Sequence, residues 1–123
     1  MALSNKTPIK IASAVDLTQT PAYNSPSLIT LWLNQGAIQI NVSSVSSNNG
    51  VFKLQGSLDG INWADLCLPN TQTPIAATTL AGTAITILYQ LSSLSCSYVR
   101  VVFTRGSSHT DGVADIWFSG KEI

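Results

Sequence analysis

The sequence predicts an all-β protein, an antiparallel two-sheet β-sandwich of the jelly-roll type. Apolar and polar residues alternate with period two over residues 38–43 and again over residues 85–91, a pattern typical of half-buried strands. Gly, Asn, Ser and Pro clusters separate short runs that are rich in Val, Ile, Thr and aromatic residues. No stretch shows the apolar spacing of a helix, so the strands must bury their apolar faces against one another.

The remaining strands are predicted from runs of β-branched and aromatic residues bounded by turn residues. These runs cover residues 27–33, 51–57, 61–68, 97–105 and 112–120. Their spacing suits a sandwich, because each strand crosses the domain once and then turns back. A chain of 123 residues has the length of one domain, so residues 1–123 are interpreted as a single β-sandwich. Residues 1–12 are compatible with an extended N-terminal arm, since the ends of small domains are often loosely held.

The segment LQGSLDGINWADL, residues 54–66, predicts a β-hairpin around an Asp-Gly turn. A three-residue loop closed by Gly60 in the left-handed region places Lys53 opposite Asp65, an opposite-charge pair. A two-residue turn would place Asp65 opposite Leu54, which buries a carboxylate beside an apolar residue. The three-residue loop is therefore the expected register.

Outward-facing side chains on the predicted strands are the first candidates for a binding site. In the expected register Trp63 lies on the outer face, where its indole either covers the hairpin backbone or offers an aromatic platform. Trp117 is a second candidate platform. Alternation also places Arg100 on an outer face, as an ion-pair partner of Asp115 or as a ligand anchor. We expect the ion pair between Arg100 and Asp115.

The charge balance excludes some classes of partner and favours others. Lys plus Arg equals Asp plus Glu at six each, and charged residues make up only 10% of the chain. Nucleic acid and an anionic membrane surface are not expected as partners, because both require a basic excess. The sequence shows no membrane-spanning apolar run and no signal peptide, so export is not expected. Low charge favours a surface that is covered by neighbouring proteins or by copies of the same chain, and a soluble monomer with a surface of Ser, Thr and Asn is the alternative.

No catalytic, metal or cofactor site is predicted. His109 and Asp111 lie with two serines in the loop RGSSHTDG, residues 105–112, but a catalytic triad is normally assembled from separate segments. His109 is therefore expected to be an exposed loop residue. Cys67 and Cys96 are too few for a zinc site or a disulfide framework, and we expect free thiols.

Three segments resemble a known family. They are VFKLQGSLDGINW at 51–63, YVRVV at 98–102 and IWFSG at 116–120. Together they resemble the later two-thirds of a discoidin (coagulation factor 5/8 type C) domain, which contains Ser-x-Asp-Gly-x-x-Trp, then Tyr-Val-Arg-Val, then a final strand ending near Gly. The resemblance implies a jelly-roll sandwich of the galactose-binding type. Residues 1–50 lack the family's opening segment and ligand-binding loops, so what is shared is the scaffold.

Reduced domains of this kind resemble components of tailed-phage virions; this resemblance implies a first hypothesis, and the two candidate indole platforms support a second. In the first, the protein is a non-enzymatic virion structural protein, a capsid decoration, fibre or tail component that binds other virion proteins or copies of itself. In the second, it is a carbohydrate-binding adhesion module that holds a surface glycan. The candidate ligand or partner contacts are Trp63, Trp117, Arg100, His109 and Asp111.

Overall fold

The computed structural model describes residues 9–18, 23–25, 28–29, 35–45, 48–68, 71–92, 96–106 and 111–121. All regular structure in these residues is β-strand. The strands are β1 (Ile9–Asp16), β2 (Tyr23–Asn24), β3 (Leu28–Ile29), β4 (Gln35–Ser43), β5 (Val51–Ser57), β6 (Ala64–Asp65), β7 (Thr78–Thr79), β8 (Ile85–Ser92), β9 (Tyr98–Thr104) and β10 (Val113–Lys121). They form two antiparallel sheets, which confirms the predicted all-β two-sheet sandwich.

The two sheets differ in how their edges are built. Sheet A has the order β1-β10-β4-β8. Sheet B has β9 and β5 at its centre; β2 and β3 both pair with β9, while β6 and β7 both pair with β5. From β4 onward, the long strands β4, β5, β8, β9 and β10 lie alternately in sheet A and sheet B. The chain therefore crosses repeatedly from one sheet to the other at the ends of the sandwich.

The core lies between the sheets and follows the period-two pattern. Along β10, Ala114, Ile116 and Phe118 are buried while the residues between them are half-buried. In sheet B, Phe52 and Phe103 lie directly opposite each other, with ring centroids 4.7 Å apart. Such a tilted pair stabilises the core beyond its buried area. The largest fully buried side chains are Phe52, Phe103, Leu17, Ile38, Ile40, Leu80, Ile116, Val99, Val101 and Asn48.

Most of the predicted strands are present, with two differences at the sheet edges. The runs at 51–57, 97–105 and 112–120 form β5, β9 and β10, and the two alternating segments form β4 and β8. The run at 61–68 forms only the two-residue β6, and the described part of 27–33 forms β3.

The edge strand β1 contains the end of the segment interpreted as an N-terminal arm. Residues 9–12 pair with β10 as part of β1, while residues 1–8 lie outside the described residues. The register shifts on either side of Ala12, and Ala14 has a φ of 51°. These irregularities interrupt the alternation by which a strand is recognised in a sequence.

The predicted register of the β5–β6 hairpin is wrong by two residues. Asp65 pairs with Gln55 and Ala64 with Gly56, whereas Lys53 was expected opposite Asp65. A shift of two keeps every side chain on its expected face. Lys53 therefore still reaches Asp65 diagonally, with Nζ 3.0 Å from Oδ1.

The longer hairpin loop is explained by Asp59. Its Oδ1 accepts hydrogen bonds from the backbone N–H groups of Ile61 and Asn62, each at 2.8 Å, and from Ser57 Oγ at 2.9 Å. These bonds, led by the one from the Asn62 N–H, hold the pKa of Asp59 well below its usual range. Gly60 has a φ of +74°, so it adopts the left-handed conformation that was predicted.

Asn48 closes one end of the sandwich. Its side chain is fully buried, and Nδ2 donates to the carbonyl oxygens of Leu17 at 3.1 Å and Asp111 at 2.8 Å. Oδ1 accepts from the N–H of Gly50 at 2.9 Å. One amide thus satisfies backbone groups from three segments: the end of β1, the β4–β5 connection and the β9–β10 connection. Buried groups of this kind are costly when left without partners.

We expect Asn48→Ala to lower the free energy of unfolding by about 3 kcal/mol, because three backbone polar groups lose their partner. Urea denaturation measures the change. Asn24→Ala, at an exposed asparagine in β2, is the control and is expected to cost no more than about 0.5 kcal/mol. Equal costs for the two variants would contradict the role assigned to Asn48.

Candidate functional site

The sequence-predicted site residues do not converge on one site. Trp63 and Arg100 lie on the outer side of sheet B, and Trp117 lies on the outer side of sheet A. Asp111 is half-buried at the end of the sandwich, where its carbonyl binds Asn48. His109 lies outside the described residues. Two separate outer surfaces are therefore candidates.

The expected ion pair between Arg100 and Asp115 is wrong. Arg100 is in β9 of sheet B and Asp115 is in β10 of sheet A, and their side chains point out of opposite faces of the sandwich. Asp115 instead accepts a hydrogen bond from the N–H of Ala14 at 2.8 Å, within the irregular part of β1. Its Oδ1 also lies 3.7 Å from Nζ of Lys10. Asp115 therefore stabilises the edge of sheet A.

Arg100 is held by two neighbours on sheet B. Its Nε and Nη2 donate to Oε1 of Gln55 at 3.0 and 2.7 Å, and Gln55 is its cross-strand partner on β5. The guanidinium carbon lies 4.3 Å from the centroid of the Trp63 ring, in a cation–π arrangement. One face of this indole is thus occupied by the protein itself.

The polar groups around Arg100 bind one another. Gln55 Nε2 lies 3.4 Å from Oδ1 of Asp65, and Lys53 Nζ lies 3.0 Å from the same oxygen. The hydrogen bond from Lys53, followed by that from Gln55, lowers the pKa of Asp65. We call this group the Arg100 face: Lys53, Gln55, Trp63, Asp65 and Arg100. Its charges and amides already have partners within the chain.

The outer side of sheet A is organised around Trp117. Trp117 is half-buried and lies opposite Gln39 of β4 on one side and Lys10 of β1 on the other. Gln39 in turn lies opposite Leu88 of β8, so the four side chains form a row across the sheet. Lys10 Nζ is 5.3 Å from the centroid of the Trp117 ring. We call the uncharged part of this surface the Trp117 face: Ala37, Gln39, Leu88, Trp117 and Ser119.

The Trp117 face lines a shallow concavity of about 320 Å³, to which Phe118 also contributes. Leu88 is 55% exposed within it. Neither β4 nor β8 contains a charged residue, so this half of sheet A presents only apolar and uncharged polar groups. Trp117 was among the predicted site residues, whereas Gln39, Leu88 and Lys10 were not. Their outward positions follow from alternation, but their alignment depends on strand pairing that is not readable from composition.

A third exposed feature is the turn at Asp59. The side chains of Leu58 and Ile61 are 73% and 79% exposed on either side of it. Beside the turn lies a concavity of about 480 Å³ whose lining includes Cys67 and Cys96. Neither cysteine forms a disulfide bond, as predicted.

The described residues contain no group of three or more His, Cys, Asp or Glu side chains that could hold a metal ion. In the same part of the chain no helix is long and apolar enough to cross a membrane.

We expect Arg100→Ala and Gln55→Ala to be energetically coupled, since each removes the same pair of hydrogen bonds. A double-mutant cycle from urea denaturation should give a coupling of about 1 kcal/mol. The matched cycle of Arg100→Ala with Asp115→Ala should be additive within about 0.5 kcal/mol, because the two residues lie on opposite faces. Strong coupling in the second cycle would instead support an ion pair between Arg100 and Asp115, which the structure excludes.

The fold is shared with a protein of known structure. The crystal structure of the SPBc2 prophage-derived protein YomS superposes with a TM-score of 0.59 at 11% sequence identity, covering 99% of this chain and 96% of that chain. No family model matches the sequence, and no curated protein matches it. At this identity the likeness shows the fold alone. The chain therefore has an all-β fold that also occurs in a prophage-derived protein.

Proposed function

We propose that this protein is a non-enzymatic structural component of a bacteriophage virion, which acts by docking onto other virion proteins. The observation that carries the proposal is the likeness to YomS, which extends over nearly the whole of both chains. A likeness of this extent relates two complete sandwiches rather than one shared motif. The proposal includes three roles: a capsid decoration, a fibre or a tail component. It also includes a discoidin-like scaffold, from the resemblance of residues 51–63, 98–102 and 116–120.

The two outer surfaces differ in a way that supports docking through sheet A. On the Arg100 face, the charged and amide groups are already bound to one another. The Trp117 face has an aromatic ring, an exposed leucine and neutral amides, with no charged residue on β4 or β8. The centres of protein interfaces are enriched in aromatic residues and depleted in charge. We therefore assign docking to the Trp117 face.

Particles purified from the source strain by density-gradient centrifugation should contain this chain at a fixed ratio to the major capsid protein, as measured by quantitative mass spectrometry. Trp117→Ala should lower that ratio because it removes the largest side chain of the docking surface. Trp63→Ala, on the Arg100 face, is the matched control and should leave the ratio unchanged. A chain that is abundant in the lysate and absent from the particles would refute the proposal.

Carbohydrate binding is a second candidate, favoured by the concavity beside Trp117. An indole next to the Gln39 amide offers the apolar surface and a hydrogen-bonding group that a pyranose requires, although Nε2 of Gln39 also donates to Oδ1 of Asn41. A glycan array tests it with the same two variants. Binding that is lost in Trp117→Ala and kept in Trp63→Ala would support the lectin function, and an array without hits would exclude it for the glycans it displays.

A further inference from the structure

Strand β8 is a long and regular edge strand. It forms one edge of sheet A and, in the part of the chain that the structure describes, pairs only with β4. Eight consecutive residue pairs join the two strands without a register shift, from Val42 with Ile85 to Gln35 with Ser92. The strand ITILYQLS contains no charged residue and no proline. Its outer edge therefore presents an uninterrupted row of backbone groups of the kind that another strand can pair with.

The other described edges carry the features that block such pairing. Strand β1, at the opposite edge of sheet A, has two register shifts and contains Lys10 and Asp16. Both edges of sheet B are divided into two-residue strands, β2 and β3 on one side and β6 and β7 on the other. Bulges, charges and short length are the usual protections of an edge strand. Among the edges that the structure describes, β8 alone lacks all three.

The sequence of β8 is complementary to itself when two copies run antiparallel. A two-fold axis at Leu88 places Leu88 opposite its own symmetry mate and the outward Thr86 opposite Gln90. On the inner side the same register places Ile87 opposite Tyr89 and Ile85 opposite Leu91. In the pairs from Ile85 to Leu91, polar residues therefore meet polar residues and apolar residues meet apolar or aromatic ones, and such cross-strand pairs stabilise neighbouring strands. An axis at Tyr89 would instead place the exposed Leu88 against the amide of Gln90.

A second copy of the chain can also approach β8 without electrostatic repulsion. The outward side chains of β4 and β8 carry no charge, so two copies approach without like-charge repulsion. An interface around a two-fold axis is self-complementary by construction, and such dimers are the commonest oligomers. Leu88, which is 55% exposed, would be buried at the axis.

We propose that β8 pairs with β8 of a second copy, antiparallel and centred on Leu88, joining two copies of sheet A into one eight-stranded sheet. The proposal rests on the proposed function for its biological role, although its structural argument is independent. The second copy pairs with the edge of β8, and both Trp117 faces remain available to other virion proteins. The dimer places two Trp117 faces side by side on a continuous surface. Docking onto a particle would then engage two concavities at once.

Sedimentation equilibrium of the purified chain tests the association. The expected mass is twice 13.0 kDa, and Leu88→Lys should return it to a single chain because two ammonium groups would meet at the axis. Leu58→Lys is the matched control, since Leu58 is equally an exposed leucine but lies in the β5–β6 loop; it should leave the dimer intact. A wild-type monomer, or a dimer that survives Leu88→Lys, would overturn the proposal.

Disulfide trapping tests the register in a background where Cys67 and Cys96 are replaced by serine. Leu88→Cys should form a disulfide with its own copy on mild oxidation, because cross-strand partners have suitable Cα spacing. Thr86→Cys alone should not, whereas Thr86→Cys mixed with Gln90→Cys should cross-link. Cross-linking of Thr86→Cys with itself would refute the register.

The two proposals fail in different ways. A trapped dimer that is absent from purified particles refutes the virion function and leaves the β8 pairing intact. A chain that is present in particles but does not cross-link at Leu88 refutes the pairing and leaves the virion function intact.

Discussion

The structure depends on satisfying backbone polar groups where the chain crosses the end of its apolar core. Because successive long strands lie in opposite sheets, the connections between them pass over buried side chains rather than along one sheet. Asn48 meets this requirement with one amide that binds backbone atoms of Leu17, Gly50 and Asp111. The same crossing brings the backbone at Gly50 against the ring of Phe103, where an added Cβ would lie 2.2 Å from Cζ. Sandwich closure thus depends on a buried amide and on a position without a side chain.

The strands were predictable to the extent that their signal is local. Both patterns used are properties of consecutive residues: alternation marked β4 and β8, and runs of β-branched and aromatic residues marked β5, β9 and β10. Pairing is not local. Arg100 and Asp115 each face outward as predicted, but they leave the sandwich on opposite sides because β9 and β10 belong to different sheets. The hairpin register depended on how many backbone N–H groups donate hydrogen bonds to the Asp59 carboxylate. That number cannot be read from the spacing of residues in the sequence. Strand β1 was missed because its bulges remove the pattern.

The outer faces of the two sheets differ in the side chains that they expose and in the contacts between them. On sheet B a guanidinium, an amide, an ammonium and a carboxylate form a chain of contacts that is complete within the molecule. Surface groups of this kind contribute little to stability individually, yet they leave few free hydrogen-bonding groups for a partner. On sheet A the row from Trp117 to Leu88 contains no charged side chain; Gln39 donates to Oδ1 of Asn41 at 3.1 Å, and Lys10 Nζ lies 5.3 Å from the centroid of the Trp117 ring. The aromatic ring at one end and the exposed leucine at the other make burial of this surface by a partner favourable, because burial removes their apolar area from water.

The turn at Asp59 has a consequence for any contact made at that end of the molecule. Because the carboxylate is bonded to Ser57, Ile61 and Asn62 at once, the backbone that carries Leu58 and Ile61 is ordered before anything touches it. Binding normally loses free energy to the freezing of mobile loops. Here the turn backbone is already ordered by folding, so a complementary pocket would bind two exposed apolar side chains on a rigid loop and lose little affinity to loop ordering.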